Sequence, residues 1–493
     1  MKCKKIFLTL CLIFFMLSIF SVSASDLNDT ITSADDSDML EITEENDMAE
    51  SSQEDILSAS DDGTFTALQQ KIHDANTNST ITLDRDYTYD EGFSTRGIVI
   101  DKDLTINGNG HTINGLSESR IFLVKLGKLA PYKVTLNNIK FINGNTNLYG
   151  GVVFNYADLT VNNCQFNNNH AKYSGGAICS IGYLECKNSK FDKNIADGDG
   201  GAIFTLSLRG TLDNMIWTLI NASREGSLDF LTDFVNDNTL VYTQETISNC
   251  VFTNNVAKGR GGGAIYGFGH INIKKSTFTS NKAGEKGGAV FGNKNLFISD
   301  SKFTSNQAPQ YGGAVYFRCH DQGGHYENKK WISKINYYSN SIKNSVFTKN
   351  TASRGGAIYA FRYSDSDTVH CAKAVKCTFE ANKASKGRDI YGGTTSKCVF
   401  NYLKLTLKKV KIKKSAKKLV LTAKLKKGLK PIKHKKITFK FKGKTYKAKT
   451  NKKGVAKITI KKKVLKKLKV GKKVKYQAKY GKLVVKRTAK VKK

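Results

Sequence analysis

The sequence of 493 residues predicts an all-β protein, in which a right-handed parallel β-helix is followed by a small immunoglobulin-like β-sandwich. The first observation is a motif, Gly-Gly-Ala-(Ile/Val) followed further along by Phe-x-x-Asn, that recurs through the middle of the chain. The second is its period, 25 residues in regular stretches, as from Gly150 to Gly175 to Gly200. A fixed period in the twenties is typical of a solenoid of stacked units. The third is the alternation inside each unit, as in Leu159-Thr-Val161, which is typical of strands.

Two sets of residues carry the repeat. The glycine pairs are Gly150-Gly151, Gly175-Gly176, Gly200-Gly201, Gly262-Gly263, Gly287-Gly288, Gly312-Gly313 and Gly355-Gly356. The phenylalanines that follow in step are Phe141, Phe166, Phe191, Phe252, Phe278, Phe303, Phe347 and Phe379. We expect the phenylalanines to point inward and to stack on their copies. The glycines, without side chains, would let neighbouring coils approach at a tight bend.

One asparagine column completes the predicted coil. Its members are Asn169, Asn194, Asn255, Asn281, Asn306, Asn350 and Asn382. Asparagine tolerates left-handed turn geometry, and stacked amides can bond from one coil to the next. We therefore expect these residues to lie in a left-handed turn and to form a ladder. No long 3.6-residue period is present in the repeats, which disfavours a helical solenoid.

The N-terminus reads as a targeting segment. Lys2, Lys4 and Lys5 precede an apolar run that ends at Phe20, and small residues up to Ala24 follow. Residues 1–24 are therefore predicted to be a signal peptide cleaved after Ala24. An uncleaved anchor is the alternative, but the run is short for a membrane span. No second long apolar run follows, so we expect the mature chain to be exported without a transmembrane span, and to be secreted, surface-bound or wall-associated.

Charge divides the rest of the chain into three blocks. The net charge of +38 is an average over very different segments. Residues 25–63 hold 14 acidic residues and no lysine or arginine, and we expect this leader to be disordered. The predicted β-helix domain, residues 64–402, is mildly basic. Residues 403–493 hold 38 lysines, one arginine and no acidic residue.

Eight cysteines remain outside the signal peptide, which in an exported protein can indicate disulfides. Their positions favour another interpretation. Four of them precede a repeat phenylalanine by two residues, namely Cys164, Cys250, Cys377 and Cys398. Other coils have Ser189, Ser276, Ser301 and Ser345 in this slot. A column of small side chains is predicted, in which free cysteine acts as a buried apolar residue.

Departures from the period suggest where function lies. Phe65, Leu68 and Ile72 have helical spacing, and this segment is expected to cap the open end of the solenoid. Insertions at residues 205–246, 318–341 and 361–374 all follow the Gly-Gly-Ala strand. Loops inserted at one corner project from one face, and loops commonly carry function in repeat scaffolds. We expect this face to contact a partner. The first insertion, apolar between Met215 and Phe234, is expected to form small helices.

The C-terminal block, residues 403–493, reads as a β-sandwich. Alternating runs begin at Leu419, Ile437, Thr445, Val455, Val474 and Leu483, with lysines at outward positions. About seven short strands in about 90 residues suggest an immunoglobulin-like domain. Nearly pure lysine forms a diffuse positive surface, which suits an acidic envelope polymer, whereas nucleic-acid reading favours arginine. No nucleic-acid partner is expected. The alternatives are that lysine only provides solubility, or that the acidic leader folds back onto this domain.

The sequence predicts no catalytic residue and no cofactor. β-Helix polysaccharide lyases and glycoside hydrolases need facing carboxylates or a metal ion, whereas Asp192 and Asp300 stand singly. Asp197 and Asp199 share a turn that could hold calcium, but two acids are too few. Zinc-type ligands without ligand spacing occur in the second and third insertions, namely Cys319, His320, His325, Asp365, Asp367, His370 and Cys371.

A resemblance adds a functional expectation. Gly287-Gly-Ala-Val290 with Phe303-Thr-Ser-Asn306 resembles the repeat of chlamydial polymorphic outer-membrane proteins, which are surface adhesins. The whole layout resembles the adhesin-like proteins of methanogenic archaea, with a signal peptide, a pectate-lyase-like β-helix and a lysine-rich tail. The resemblance implies an adhesin that binds a glycan or protein of another cell, and it transfers no catalytic residue. A polysaccharide lyase or hydrolase and a structural surface-layer component remain alternatives.

Overall fold

The computed structural model describes most of the chain beyond residue 61. The described residues are 62–127, 130–206, 208–209, 241–242, 244–318, 320–327, 330–361 and 372–493, with the backbone alone at 208–209, 241–242, 320–327 and 330–337. The predicted signal peptide, its cleavage at Ala24 and nearly all of the acidic leader lie outside these residues and stay predictions. In the described part, long all-parallel sheets wind into a parallel β-helix. No helix among these residues is both long and apolar enough to cross a membrane.

Three long parallel sheets form the walls of the β-helix. Sheet 1 consists of Ser79–Thr82, Leu104–Asn107, Lys133–Asn137, Asp158–Asn162, Leu184–Lys187, Gln244–Ser248, His270–Lys274, Leu296–Ser299, Asn340–Lys343, Ala372–Val375 and Thr394–Ser396. Sheet 2 consists of Tyr87–Thr88, Thr112–Asn114, Lys140–Ile142, Gln165–Asn167, Lys190–Asp192, Val251–Thr253, Thr277–Thr279, Lys302–Thr304, Val346–Thr348, Thr378–Glu380 and Val399–Phe400. Sheet 3 consists of Ile98–Ile100, Phe122–Val124, Val153–Asn155, Ile178–Ser180, Ile203–Thr205, Ile265–Gly267, Val290–Gly292, Val315–Arg318, Ile358–Phe361 and Ile390–Tyr391.

A fourth, short parallel sheet lines one corner. Sheet 4 consists of Asn145–Thr146, His170–Ala171, Ile195–Ala196, Val256–Ala257 and Lys282–Ala283. A regular coil passes through sheets 3, 1, 2 and 4 in turn, and each strand pairs in register with its copy in the next coil, as Phe166 does with Phe191. Eleven strands at the usual spacing between paired strands give a rod about 50 Å long.

The glycine pairs have two different tasks at the bend before sheet 3. The first glycine of a pair adopts a positive φ, 71° at Gly175, which a side chain would strain. The second allows contact between coils, because a Cβ on Gly176 would lie 2.2 Å from the carbonyl oxygen of Gly201. The predicted close approach of neighbouring coils is thus confirmed, and it concerns the second glycine.

The inner phenylalanines form the predicted stack. From Phe166 to Phe379, successive ring centroids are 4.5 to 5.2 Å apart and the ring planes are nearly parallel. All of these rings are fully buried. Burying each side chain against its own copy stabilises the coil and fixes its register, because a shifted coil would leave a ring without its neighbour.

The asparagine ladder forms, although the predicted backbone conformation is wrong. From Asn169 to Asn382, each Nδ2 donates to the Oδ1 of the next asparagine at 2.8 to 3.0 Å. The left-handed residue is the one before each asparagine, with φ of 55° at Lys193 and 56° at Asn254. The asparagines point inward and are buried, so their side chains satisfy backbone groups of the turn, and the strained position falls to an exposed neighbour.

The column of small residues is a second ladder. The six described cysteines, among them Cys164 and Cys250, are free. Ser189 Oγ accepts the N–H of Cys164 at 3.1 Å and donates to the carbonyl of Lys187 at 2.6 Å. Cys164 Sγ lies 3.4 Å from the carbonyl oxygen of Leu136. Burial raises the pKa of the Cys164 thiol to about 12. Hydroxyl and thiol therefore fill one slot, as the sequence predicts, with Cys398 half-buried.

The N-terminal end of the rod is covered by a helix, Phe65–Asp74, as predicted. Phe65 and its helical neighbours are buried, and Thr64 caps the first turn by accepting the N–H of Ala67 at 3.1 Å. Gln69 covers the open edge of sheet 3, because its Oε1 accepts the N–H of Val99 at 2.7 Å and its Nε2 donates to the carbonyl of Val99 at 3.2 Å. The cap thus satisfies backbone groups that would otherwise be free to pair with another chain.

Residues beyond Phe400 form two antiparallel sheets over one core. One sheet contains Leu403–Leu407, Lys418–Lys427, Lys430–Pro431 and Val455–Lys461. The other contains Ile412–Lys413, Leu483–Lys492, Lys473–Tyr480, Lys436–Phe441 and Lys444–Lys449, the first pair being parallel. A one-turn helix, Lys462–Leu465, follows the first sheet. The structure has nine strands here, three more than the six alternating runs named from the sequence. The immunoglobulin-like assignment of this tail domain stays a prediction.

Candidate binding face

The three insertions leave the β-helix at one corner. Each begins after a sheet 3 strand and returns to sheet 1, so the connections run from Ile203–Thr205 to Gln244–Ser248, from Val315–Arg318 to Asn340–Lys343 and from Ile358–Phe361 to Ala372–Val375. A coil without an insertion makes the same connection through residues 293–295. The prediction of a common exit point is confirmed. We call the place where these connections leave the rod the insertion corner.

Parts of the insertions are themselves β-structure. In the second, His320–Glu327 and Lys330–Tyr337 pair as an antiparallel hairpin. The first begins and ends with a short antiparallel pair, Leu208–Arg209 and Val241–Tyr242. The helices predicted between Met215 and Phe234 lie outside the described residues. The hairpin and the short strand pair both belong to connections that leave the insertion corner, and loops of this kind commonly carry function on a regular scaffold.

The base of the first insertion is closed by a buried polar pair. The hydroxyl of Thr205, at the exit strand, donates a short hydrogen bond to Oε1 of Glu245, at the returning strand. Both side chains are fully buried. A hydrogen bond to a buried carboxylate holds the two strands together across 40 residues of chain. Nothing in the repeat indicated this pair, since neither residue type recurs at its position in the neighbouring coils.

An aromatic ladder runs along the outer side of sheet 3, beside the insertion corner. Phe204, Tyr266, Phe291, Tyr316 and Tyr359 stack with centroid distances of 4.5 to 5.5 Å. Each follows the Ile or Val of the Gly-Gly-Ala motif directly. The repeated aromatic residue was therefore visible in the sequence, but it was not predicted to form a ladder. The prediction considered only the inward-facing residues of each coil, and this aromatic residue points to the other side of the strand.

The outer ladder is closely covered at its sides. Its five rings are only 5–8 % exposed. Tyr311 packs against Tyr359 at 4.6 Å, and the guanidinium of Arg354 lies 5.8 Å from the centre of the Tyr311 ring. Burial raises the pKa of Tyr359 to about 12 and raises that of Tyr316 as well, so both phenols stay neutral. The ladder is a rigid, apolar support beside the corner, with neutral phenol groups along it.

The carboxylates singled out from the sequence do not face one another. Asp192 and Asp300 occupy different positions of the coil, and each accepts a bond from a turn asparagine. Asp197 lies 3.1 Å from Nε2 of His170 and 2.8 Å from Nζ of Lys258. These contacts join the Asp197 carboxylate to a histidine and a lysine of its own surface, an arrangement that does not match a facing acid pair.

The second acid of the possible calcium turn has a separate partner. Oδ1 of Asp199 accepts the N–H of Gly261 at 2.7 Å, and burial raises the pKa of Asp199 to about 6. Asp197 and Asp199 therefore serve different neighbours. Among the described residues, no three His, Cys, Asp or Glu side chains come together as a metal site.

The zinc-type ligands of the insertions stay untested. Cys319, Asp365, Asp367, His370 and Cys371 lie outside the described residues. His320 and His325 lie on the hairpin strand His320–Glu327, of which the structure describes the backbone alone.

Comparison with known protein families finds a known repeat in five coils of the β-helix. Five segments match the Chlamydia polymorphic membrane protein repeat, namely residues 163–181, 188–206, 249–267, 275–293 and 344–360. Each segment begins at the turn before sheet 2 and ends in or beside a sheet 3 strand, so it covers the phenylalanine, the asparagine and the glycine pair of one coil. No curated protein and no solved structure matches the chain. The similarity to this repeat is thus confirmed, and the similarity to archaeal adhesin-like proteins is not shown.

The tail domain presents a surface rich in lysine. In Lys418–Lys427 buried and exposed residues alternate, with Leu421 and Ala423 inside and lysines outside. Because residues 403–493 contain no acid, their 39 basic side chains find no carboxylate side chain within the domain. One of them, Lys427, reaches back to Glu380 of the β-helix at 2.6 Å. The predicted outward position of the lysines is confirmed.

Proposed function

We propose that this protein is a surface adhesin-like protein that binds a glycan of another cell through the insertion corner and holds an acidic envelope polymer through its tail domain. Similarity to the polymorphic membrane protein repeat supports a role at the cell surface. The observation that carries the proposal is that three insertions leave one corner beside a rigid aromatic ladder. The stacked rings of the ladder are nearly buried and support the corner, so the inserted loops are the part that is free to contact a partner, as loops on repeat scaffolds commonly do.

The β-helix supplies stiffness for this role. Its inner rings, amide ladder and glycine bends repeat from coil to coil, so each coil holds the next. Loops on such a rod keep a fixed spacing along its length. A partner with repeated sugar units would meet several loops at once, and the effective concentration of the second contact would raise the overall affinity.

The test uses the mature chain, residues 25–493, on immobilised polysaccharides and host-cell glycans. Three variants each lose one insertion; in the second, residues 318–339 are replaced by the Asn-Lys-Asn connection found at 293–295, which restores the 25-residue period. We expect retention of at least one glycan, loss of retention in one or more variants, and recovery of the glycan at full length by mass spectrometry.

Other results would change the proposal in defined ways. Shortened glycan would replace adhesion by a lyase or hydrolase activity. Retention that survives all three replacements would move the binding face away from the insertion corner. No retention of any glycan would favour a structural component of a surface layer, attached through the tail domain.

A further inference from the structure

The tail domain contains one groove that differs from the rest of its lysine surface. It has a volume of about 550 Å³ and lies between the segment around Lys409 and the strand Leu483–Lys492. Its lining includes Lys409, Lys411, Lys486, Arg487, Lys490 and Lys492. The groove therefore gathers five lysines around the single arginine of residues 403–493.

Arg487 is held in place by its neighbours. It is half-buried, and it pairs with Tyr476 across the antiparallel strands Lys473–Tyr480 and Leu483–Lys492. Its Nε donates to the carbonyl of Leu407 at 3.3 Å, which ties the guanidinium to a strand of the opposite sheet. This contact uses one of the five N–H donors of the guanidinium and sets the plane of the group.

The wall of the groove is fixed in the same way. The hydroxyl of Tyr476 accepts the N–H of Val410 at 3.1 Å and lies 3.4 Å from the carbonyl oxygen of Lys408. Tyr476 is almost fully buried. The segment that carries Lys409 and Lys411 is therefore anchored at its middle, and the two lysine side chains flank a guanidinium of defined orientation.

The chemistry of the groove favours an oxyanion. A guanidinium presents donors in a planar fork that fits a carboxylate or phosphate group, whereas lysine acts as a mobile point charge. The surrounding lysines, with no acid anywhere in residues 403–493, draw an anion into the groove. A domain that used 38 lysines only for a diffuse positive field would not need its one arginine at this position.

We infer that this groove is the oxyanion subsite of the tail domain, in which Arg487 grips one phosphate or carboxylate group of a linear acidic polymer while lysines on either side follow the chain. The inference rests on the proposed attachment of the tail domain to an acidic envelope polymer. It goes further by assigning that attachment to one groove and one guanidinium.

The experiment compares affinities of the mature chain, residues 25–493, for three probes. Poly(glycerol phosphate) supplies phosphodiesters, polygalacturonate supplies carboxylates, and neutral dextran is the uncharged control. The key variants are Arg487→Lys, which keeps the charge, and Arg487→Gln, which removes it. Lys479→Gln is the matched control, because this exposed lysine lies on the adjoining strand Lys473–Tyr480 and outside the groove.

We expect Arg487→Lys to weaken binding of the preferred polyanion about tenfold, because lysine keeps the charge but cannot present the planar fork of donors that fits a carboxylate or phosphate group. Arg487→Gln should lose at least as much, while Lys479→Gln should change affinity less than about twofold. The probe with the larger loss identifies the group that the fork holds. Dextran should bind to none of the proteins.

The role of the groove in binding can also be tested with variants that leave Arg487 unchanged. The double variant Lys409→Gln/Lys411→Gln changes exposed side chains only, and its control is Lys447→Gln/Lys479→Gln. We expect the groove pair to lose at least threefold more affinity than the control pair. This comparison decides the matter if thermal unfolding shows that the Arg487 variants are destabilised through loss of the Leu407 contact.

Two contrary results are distinguishable. Equal losses in groove and control variants, with Arg487→Lys at wild-type affinity, would overturn the subsite and leave attachment through a diffuse positive surface. Failure of the wild-type chain to bind either polyanion at about 0.1 M salt, where a surface field still acts over about 10 Å, would overturn the proposed attachment itself.

Discussion

The substitution Asn281→Ala, which removes one side-chain amide from the asparagine ladder, should strongly destabilise the β-helix. Asn281 makes four side-chain hydrogen bonds, all inside the protein. Its Nδ2 donates to the carbonyl of Phe252 and to Oδ1 of Asn306, both at 3.0 Å. Its Oδ1 accepts the backbone N–H and the Nδ2 of Asn255, at 3.0 and 2.9 Å.

The magnitude follows from these four contacts. An intramolecular hydrogen bond contributes about 1 kcal/mol net, so the loss of four bonds in Asn281→Ala should lower the free energy of unfolding by at least about 4 kcal/mol, and buried groups left without a partner add to this loss. Asn272→Ala is the matched control, since Asn272 belongs to the same coil but faces outward on sheet 1. We expect it to change stability by less than about 0.5 kcal/mol.

Urea unfolding followed by circular dichroism measures the difference between the two variants. Because the coils of a solenoid interact mainly with their neighbours, native-state hydrogen exchange adds a local readout. Amides of Val251–Thr253 and Thr277–Thr279 should lose the most protection in Asn281→Ala. If the two variants unfold within about 1 kcal/mol of each other, the ladder does not contribute as the summed hydrogen bonds require.

Three further predictions concern the core, the partly buried Asp199 and the capped edge. Phe278→Ala should cost about 3–5 kcal/mol, because the cavity opens between two stacked rings, whereas Phe278→Leu should cost less; urea unfolding would show whether the order reverses. Asp199 has a pKa raised to about 6, so its charged form opposes folding above that pH. Asp199→Asn should therefore melt higher than wild type above pH 6 and alike below pH 4; equal melting at pH 7 would contradict this. Gln69→Ala frees the backbone of Val99 and should produce dimers by sedimentation analysis, whereas the exposed control Gln70→Ala should stay unchanged.

The repeat itself was readable from the sequence. Equivalent residues of neighbouring coils stack on each other, as Phe278 does on Phe303. A column of stacked residues in the fold therefore occurs as a regular repeat in the sequence. The same holds for the slot shared by Ser189 and Cys250, where one pattern of hydrogen bonds accepts a hydroxyl or a thiol. Cap, coil and insertion points were predicted because each depends on residues within one or two periods.

Only the tertiary structure decided which of two adjacent residues in the turn adopts the left-handed backbone conformation. The sequence predicted the left-handed conformation for the repeated asparagine. Because the asparagine side chain points inward, the residue before it adopts this conformation instead, as Lys193 does before Asn194. The outer aromatic ladder was present in the motif, and its meaning emerged when sheet 3 proved to be covered on both faces. A period shows which residues repeat, and the backbone decides where each points.

Contacts between distant segments lay beyond the sequence for a different reason. Thr205 and Glu245 meet only because an insertion returns to the next coil, and Arg487 reaches Leu407 across 80 residues and two sheets. Each of these contacts occurs only once in the chain, so no repeated sequence pattern predicts it. The sequence by itself determined the solenoid, its phenylalanine stack, its asparagine ladder and its basic tail, because these rest on local and periodic patterns. The closed insertion base and the arginine groove were decided by the fold, since only chain packing brings their partners within hydrogen-bond distance.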